Sequence, residues 1–153
     1  NYKSIYMSYS GRYKITKPEK YLGDYSNVFY RSLWERQAFK WCENNPRVKA
    51  WNSEEVVIPY VASQDKKMHR YFVDLLIEMN NGDIFLVEIK PKNQTKPPKK
   101  RRKTKKYINE VLTYVKNQDK WQAANKFAEH KGWKFQIWTE DTLKNLGIKL
   151  LKS

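Results

Sequence analysis

Ile84-Phe85-Leu86-Val87-Glu88-Ile89-Lys90 is the stretch on which the reading of the fold turns. Five of its seven residues are apolar and mostly branched or aromatic. Such a run predicts a strand buried on both faces. Glu88 and Lys90 sit inside it. Side chains alternate along a strand, so these two share a face, about 7 Å apart along the axis. A lone buried charge is costly, and a self-contained Glu88–Lys90 ion pair is the simplest remedy. The preceding run, Tyr71-Phe72-Val73-Asp74-Leu75-Leu76-Ile77, reads as a second apolar strand carrying one acid. Asn80-Asn81-Gly82-Asp83 lies between the two and gives a strong hairpin signal. The hairpin would carry Asp74 toward Glu88 and Lys90. Two acids and a lysine in an apolar wall suit a hard cation with a proton-handling amine beside it.

The chain has 153 residues, enough for one domain with a real core. Apolar residues make up 40% and aromatics 15%, so folding is expected although 31% of residues are charged. Lys and Arg number 31 against 16 acids, a net charge of +15. That excess calls for a polyanionic partner, nucleic acid before any other. There is no 18-residue apolar run and no amphipathic helix with a basic face, so no membrane partner is expected. Cys42 is the single cysteine, which excludes an internal disulfide or a cysteine zinc site and fits a reducing compartment. It reads as a buried helix residue. No signal peptide is expected.

Residues 1–27 read as an N-terminal arm and 28–153 as the main domain. In the arm, Ser8-Tyr9-Ser10-Gly11-Arg12-Tyr13-Lys14 interleaves aromatics with bases. It could lie on nucleic acid or a protein partner, or pack on its own domain. Tyr30 to Asn44 has helical spacing, stopped by Asn44-Asn45-Pro46. Ser32-Leu33-Trp34-Glu35 fits a capping box, so Glu35 either caps its helix or joins the acids. Val48–Trp51 and Glu55–Val61 read as short strands. His69 lacks a second histidine at ligand spacing, which favours a structural or phosphate-contacting role over zinc.

Beyond Lys90, prolines end the strand and stiffen the exit. A basic loop follows at 96–106. Lys96, Lys99, Lys100, Arg101, Arg102, Lys103, Lys105 and Lys106 give it eight bases and no acid, over half of the net charge. A solvated loop is one reading; phosphate tracking beside the acid cluster is the other. Tyr107 to His130 is helical, either continuous or broken near Asn117-Gln118-Asp119, with Thr104 offered as cap and Gly132 as stop. Trp133–Thr139 reads as a strand and Asp141–Leu146 as a short helix. This order predicts a compact α/β domain with a central mixed β-sheet flanked by helices.

Asp74 and Glu88-Ile89-Lys90, linked by a hairpin, resemble the core of the PD-(D/E)xK nuclease superfamily, whose fold is restriction-endonuclease-like. Glu35 resembles the helical acid found in TnsA-type transposon endonucleases. Val73 stands where the superfamily pattern has proline. Further motifs in one order resemble the head-completion nucleases of T-even-type tailed phages over nearly the whole length. They run from Tyr9-Ser10-Gly11 through Tyr30-Arg31-Ser32-Leu33-Trp34-Glu35, Ile58-Pro59-Tyr60 and Arg70-Tyr71-Phe72-Val73-Asp74. Glu88-Ile89-Lys90-Pro91-Lys92, Gln94-Thr95-Lys96-Pro97-Pro98, Asp119-Lys120-Trp121-Gln122-Ala123-Ala124 and Thr139-Glu140-Asp141 continue the series.

The resemblance implies a metal-dependent nuclease that cuts double-stranded DNA with little sequence specificity. Asp74 and Glu88 would hold Mg²⁺, or Mn²⁺, with the Ile89 carbonyl. Lys90 would position the attacking water or meet the developing charge. Glu35 would orient a water at the ion or assist a second ion. Arg70, Lys92, Gln94, Lys99, Lys100, Arg101, Arg102, Lys103, Lys105 and Lys106 would hold the phosphate backbone. Portal or neck proteins would be the protein partners, with no small-molecule cofactor. The setting would be the host cytoplasm during assembly, with retention at the neck of the virion left open. Two other readings stand beside it. One is a non-catalytic neck or portal adaptor that binds DNA. The other is a plain nucleic-acid module in which Asp74, Glu88 and Lys90 form a buried ion network.

Overall fold

A computed structural model describes residues 9–151. Ser8 and the rest of the arm before it lie outside the described residues. The elements run β1 (Gly11–Arg12), β2 (Phe29–Tyr30), α1 (Leu33–Asn44), β3 (Val48–Asn52), β4 (Val57–Val61) and β5 (Met68–Phe72). Then come β6 (Leu75–Met79), β7 (Ile84–Ile89), α2 (Lys105–Lys131), β8 (Lys134–Trp138) and α3 (Glu140–Asn145). The main sheet has the order β3-β6-β7-β8. Its first three strands are antiparallel, and β8 is parallel to β7. The sheet is therefore mixed, as the element order suggested.

β7 is apolar on both sides because both sides are covered. Val87 and Ile89 pack with Trp34, Phe39, Trp51 and Leu143, which brings α1 and α3 to one face. Leu86 packs with Trp121, Ala124 and Ala128 of α2, and with Ile58 and Tyr71 of the β4–β5 hairpin, on the other. The turn before β7 is built from Asn81, whose Oδ1 accepts the Asp83 amide at 2.9 Å, and from Gly82 at φ 94°. An L side chain rarely adopts that conformation, so glycine suits the position.

α1 starts at Leu33, with Ser32 Oγ accepting the Glu35 amide at 3.1 Å. α2 is one unbroken helix of 27 residues. The break considered near Asp119 is absent. Asp119 instead accepts the amide and hydroxyl of Ser63, both at 2.8 Å, so its local turn-forming capacity is spent on a tertiary contact. Thr104 caps the helix by accepting the Tyr107 amide, and Gly132 ends it at φ 76°. Cys42 is buried in α1. No helix among the described residues is long and apolar enough to cross a membrane.

The run 71–77 is not one strand, which corrects the reading above. β5 pairs with β4 in a separate two-stranded sheet, whereas β6 pairs with β3 and β7. The chain changes sheets at Val73 and Asp74. Val73 bridges the change, its amide donating to Val56 and its carbonyl accepting from Glu54. Hydrophobicity runs straight through because both halves are buried, so nothing in the apolar pattern marks the switch.

Part of the N-terminal segment packs onto the domain. Tyr13 and Tyr21 join the α1-side core. Glu43, 1% exposed, clamps this segment. Its carboxylate accepts the Tyr13 hydroxyl at 2.6 Å and the Thr16 and Lys17 amides at 2.8 Å each. Glu43→Ala strands three donors at once. Urea unfolding should show a loss of roughly 3 kcal/mol or more, whereas Tyr13→Phe should cost only about 1 kcal/mol. Equal small losses would show that the clamp contributes little.

Candidate active site

The sheet change places Asp74 at the start of β6, beside the end of β7. Its Oδ2 accepts the Ile89 amide at 2.8 Å. Glu88 shares the face of Leu86, toward α2, because side chains alternate. Its Oε1 accepts the Tyr71 hydroxyl at 2.6 Å and its Oε2 pairs with Lys90 Nζ at 3.2 Å. Lys90 lies one residue past the strand, and its amide donates to the Trp138 carbonyl at 3.0 Å. The Glu88–Lys90 ion pair is thus present, but within a larger charge cluster.

Glu35 serves the helix end and faces the acids together. Its Oε2 accepts the Arg31 amide at 3.0 Å, one residue before the Ser32 cap. The side chain is buried, and burial above all pushes its pKa up to about 7, aided by the charges of Glu54 and Glu88. Burial likewise holds the Asp74 carboxyl well above the usual range, and Glu88 and Glu35 raise it further. The Ile89 amide and Lys90 oppose that rise without cancelling it. Three carboxyls from α1, β6 and β7 are therefore close enough to repel one another.

That repulsion is what a bound cation would relieve. Among the described residues no group of three or more acid, histidine or cysteine side chains is placed to hold a metal ion. Asp74 and Glu88 nevertheless fit a hard cation that keeps part of its water shell. Their donors are all oxygen, and each carboxylate oxygen has a further lone pair beyond the contact it already makes. The Ile89 carbonyl directly follows Glu88 in sequence.

The basic residues divide. Arg70 lies on the outer face of β5, its guanidinium 5.5 Å from the Phe72 ring centroid, while Tyr71 points inward to Glu88. Lys92 turns to α3, its amide meeting Glu140 at 2.7 Å and its ammonium Asp141 at 3.1 Å. Arg101 pairs with Glu110 at 2.9 Å and lies over Tyr107. Lys99, Lys100, Arg102 and Lys103 are exposed in the loop; Lys105 and Lys106 begin α2. A cleft of about 760 Å³ lies between residues 93–98 and the first turns of α2, lined by Gln94, Lys96, Lys105, Lys106, Tyr114 and Asn117 among others. His69 pairs with Asp65 at 2.8 Å, which fits its structural reading.

Sequence reasoning left three neighbours of the site without a role. Tyr71 holds Glu88. Lys120 reaches the same tyrosine from α2, its Nζ 5.5 Å from the ring centroid. Glu54 pairs with Arg31 at 2.9 Å and adopts φ 56°, a strained value for a residue with a side chain. Their approach depends on the sheet change and on how α2 packs, which no local pattern signals.

Known proteins extend this geometry. Residues 45–140 match the family of TnsA-like endonuclease N-terminal domains. That span holds Asp74, Glu88 and Lys90 and leaves Glu35 outside. Across 148 residues the chain is 43% identical to the protein named head completion nuclease of Enterobacteria phage T4, covering 94% of this chain and 99% of that protein. Likeness of this extent, on a mixed sheet with its acids gathered at a strand switch, means that the chain belongs to the head completion nucleases, built on a TnsA-like endonuclease domain.

Proposed function

We propose that this protein is a metal-dependent deoxyribonuclease that cuts DNA with little sequence preference during completion of the phage head. The observation that carries this reading is the convergence of Asp74, Glu88 and Glu35 beside Lys90 at the sheet change. Asp74 and Glu88, with the Ile89 carbonyl, would hold Mg²⁺ or Mn²⁺; once bound, such an ion polarises a phosphate and makes a water more acidic. Hydrolysis forms one bond from a water oxygen to phosphorus and breaks one P–O ester bond. Lys90 supplies positive charge where the phosphate gains negative charge. Glu35, with its pKa near neutrality, is suited to take or return a proton. Tyr71 keeps Glu88 aimed. The basic loop and the cleft beside α2 grip phosphates, which carry no sequence information. The setting would be the host cytoplasm, with portal or neck proteins as partners.

Plasmid nicking with Mg²⁺ tests the centre. Asp74→Asn should slow cleavage by about a hundredfold or more. The same change removes a repelled buried charge while keeping an acceptor for the Ile89 amide, so in chelator its melting temperature should rise. Cleavage at the wild-type rate would sink the mechanism. Full DNA binding by a wild-type protein that never cuts would favour the adaptor reading.

Stability of the metal-free protein should depend on pH through Glu35. Its folded pKa lies above its unfolded value, so the folded state holds the proton more tightly. Stability should therefore fall as pH rises from about 4.5 through about 7. Melting curves in chelator should show that fall in wild type and a smaller one in Glu35→Gln. Identical pH profiles would remove Glu35 as the cause.

DNA binding should also weaken with salt. Replacing Lys99, Lys100, Arg102 and Lys103 with Ala should reduce the log–log salt slope by about 3 to 4, at about 0.9 per phosphate contact. An unchanged slope would leave the loop as solvated surface.

A further inference from the structure

Lys120 belongs to α2, yet the charges it faces are those of the candidate centre. Glu88 and Asp74 draw its ammonium, while Lys90 and Lys116 repel it. It is half-buried, and its Nζ lies over the face of Tyr71, 5.5 Å from the centroid. The hydroxyl of that same ring donates to Glu88. Tyr71 is itself 3% exposed, so its ring is a fixed floor rather than a mobile contact. Among the described residues Lys120 makes no hydrogen bond or ion pair. A ring face compensates an ammonium only in part, and a half-buried lysine without an ion partner has capacity left for an anion.

The cleft points to which anion. Its helical wall runs through Lys106, Glu110, Tyr114 and Asn117. Those positions are three or four apart and form one stripe along α2. Lys120 is the next position on that stripe, about 5 Å farther along the axis. A phosphodiester backbone following the basic wall from Lys105 and Lys106 would reach Lys120 where the helix crosses Tyr71 and Glu88.

We propose that Lys120 is a second substrate-contacting cation of the site, gripping a non-bridging oxygen of the scissile phosphodiester from the helix layer while Lys90 acts from the sheet. Tyr71 has two tasks in this arrangement. Its hydroxyl aims Glu88, and its ring face sets the approach of Lys120. The inference rests on the nuclease reading of Asp74 and Glu88. The rival account makes Lys120 a structural counter-charge that only balances the acids.

The test compares wild type, Lys120→Met, Lys120→Arg and Asp74→Asn as full-length chains. Single-turnover nicking of supercoiled plasmid in saturating Mg²⁺ is measured, with duplex affinity in Ca²⁺ and melting temperature alongside. Lys120→Met should cut about a hundredfold more slowly, the scale of losing one donor to a developing oxyanion. Its DNA affinity should stay within about threefold, because many other phosphate contacts supply it. Its melting temperature should be unchanged or higher, since Met fills the half-buried path without a charge. Lys120→Arg should recover at least a tenth of the wild-type rate. A Lys120→Met rate within tenfold of wild type overturns the proposal. So does a rate loss that tracks a fall in melting temperature and is not recovered by Arg, since that is the structural counter-charge. Asp74→Asn separates the two levels. If it cuts normally, the nuclease reading of this site fails; if it is inactive while Lys120→Met cuts normally, only the role of Lys120 fails.

Discussion

Like charge gathered in a poorly solvated place is the constraint that governs this molecule. Asp74, Glu88 and Glu35 come from three separate parts of the chain, and burial makes Asp74 and Glu35 harder to ionise. Folding brings them together against their mutual repulsion. The local compensations are specific: the Ile89 amide on Asp74, Tyr71 and Lys90 on Glu88, the Arg31 amide on Glu35. They reduce the repulsion without removing it. Residual strain of this electrostatic kind is common where a protein must later accept a cation or handle a proton.

The sheet change is the device that makes the gathering possible. A continuous strand through Asp74 would alternate regularly and leave its backbone paired on one ladder. Leaving the β4–β5 pair and entering the main sheet breaks that ladder at Val73 and Asp74. The carboxylate of Asp74 then accepts the Ile89 amide at the end of β7. The same break lets Tyr71, the last inward residue of β5, reach over to Glu88. Glu54, at its positive φ, sits on the facing connection and donates its amide to Val73. Backbone irregularity and side-chain chemistry thus occur at one place.

Charge is organised on a second scale around this centre. The loop after β7 and the start of α2 carry the concentrated positive charge, and a cleft beside them runs along the helix as far as Asn117. Not every base is available to a ligand. Lys92 is held by Glu140 and Asp141, Arg101 by Glu110, and Arg70 faces away from the acids. Composition alone counts all of them equally, whereas tertiary placement divides them into bases paired with acids of the fold and bases open to solvent.

Much of the design was written locally. The Asn80–Asp83 turn, the β7 strand, the Ser32 and Thr104 caps and the Gly132 stop depend on residues within a few positions of one another. Short-range backbone sterics and hydrogen bonds decide them, so the order of elements and the fold class were legible in the chain. The nearness of Asp74 to Glu88 followed from that hairpin. Where a strand changes sheets was not legible, because residues 71–77 are apolar on both sides of the break and periodicity cannot tell one buried surface from another. Nor was the setting of Glu35: its carboxylate accepts the Arg31 amide, one residue outside the capping-box position, and feels the charge of Glu88. The approach of Lys120 to Tyr71 joins positions 49 residues apart. Only the packing of α2 across the sheet determines such a contact, because its energy is shared among the whole of the buried interface and is encoded at no single site.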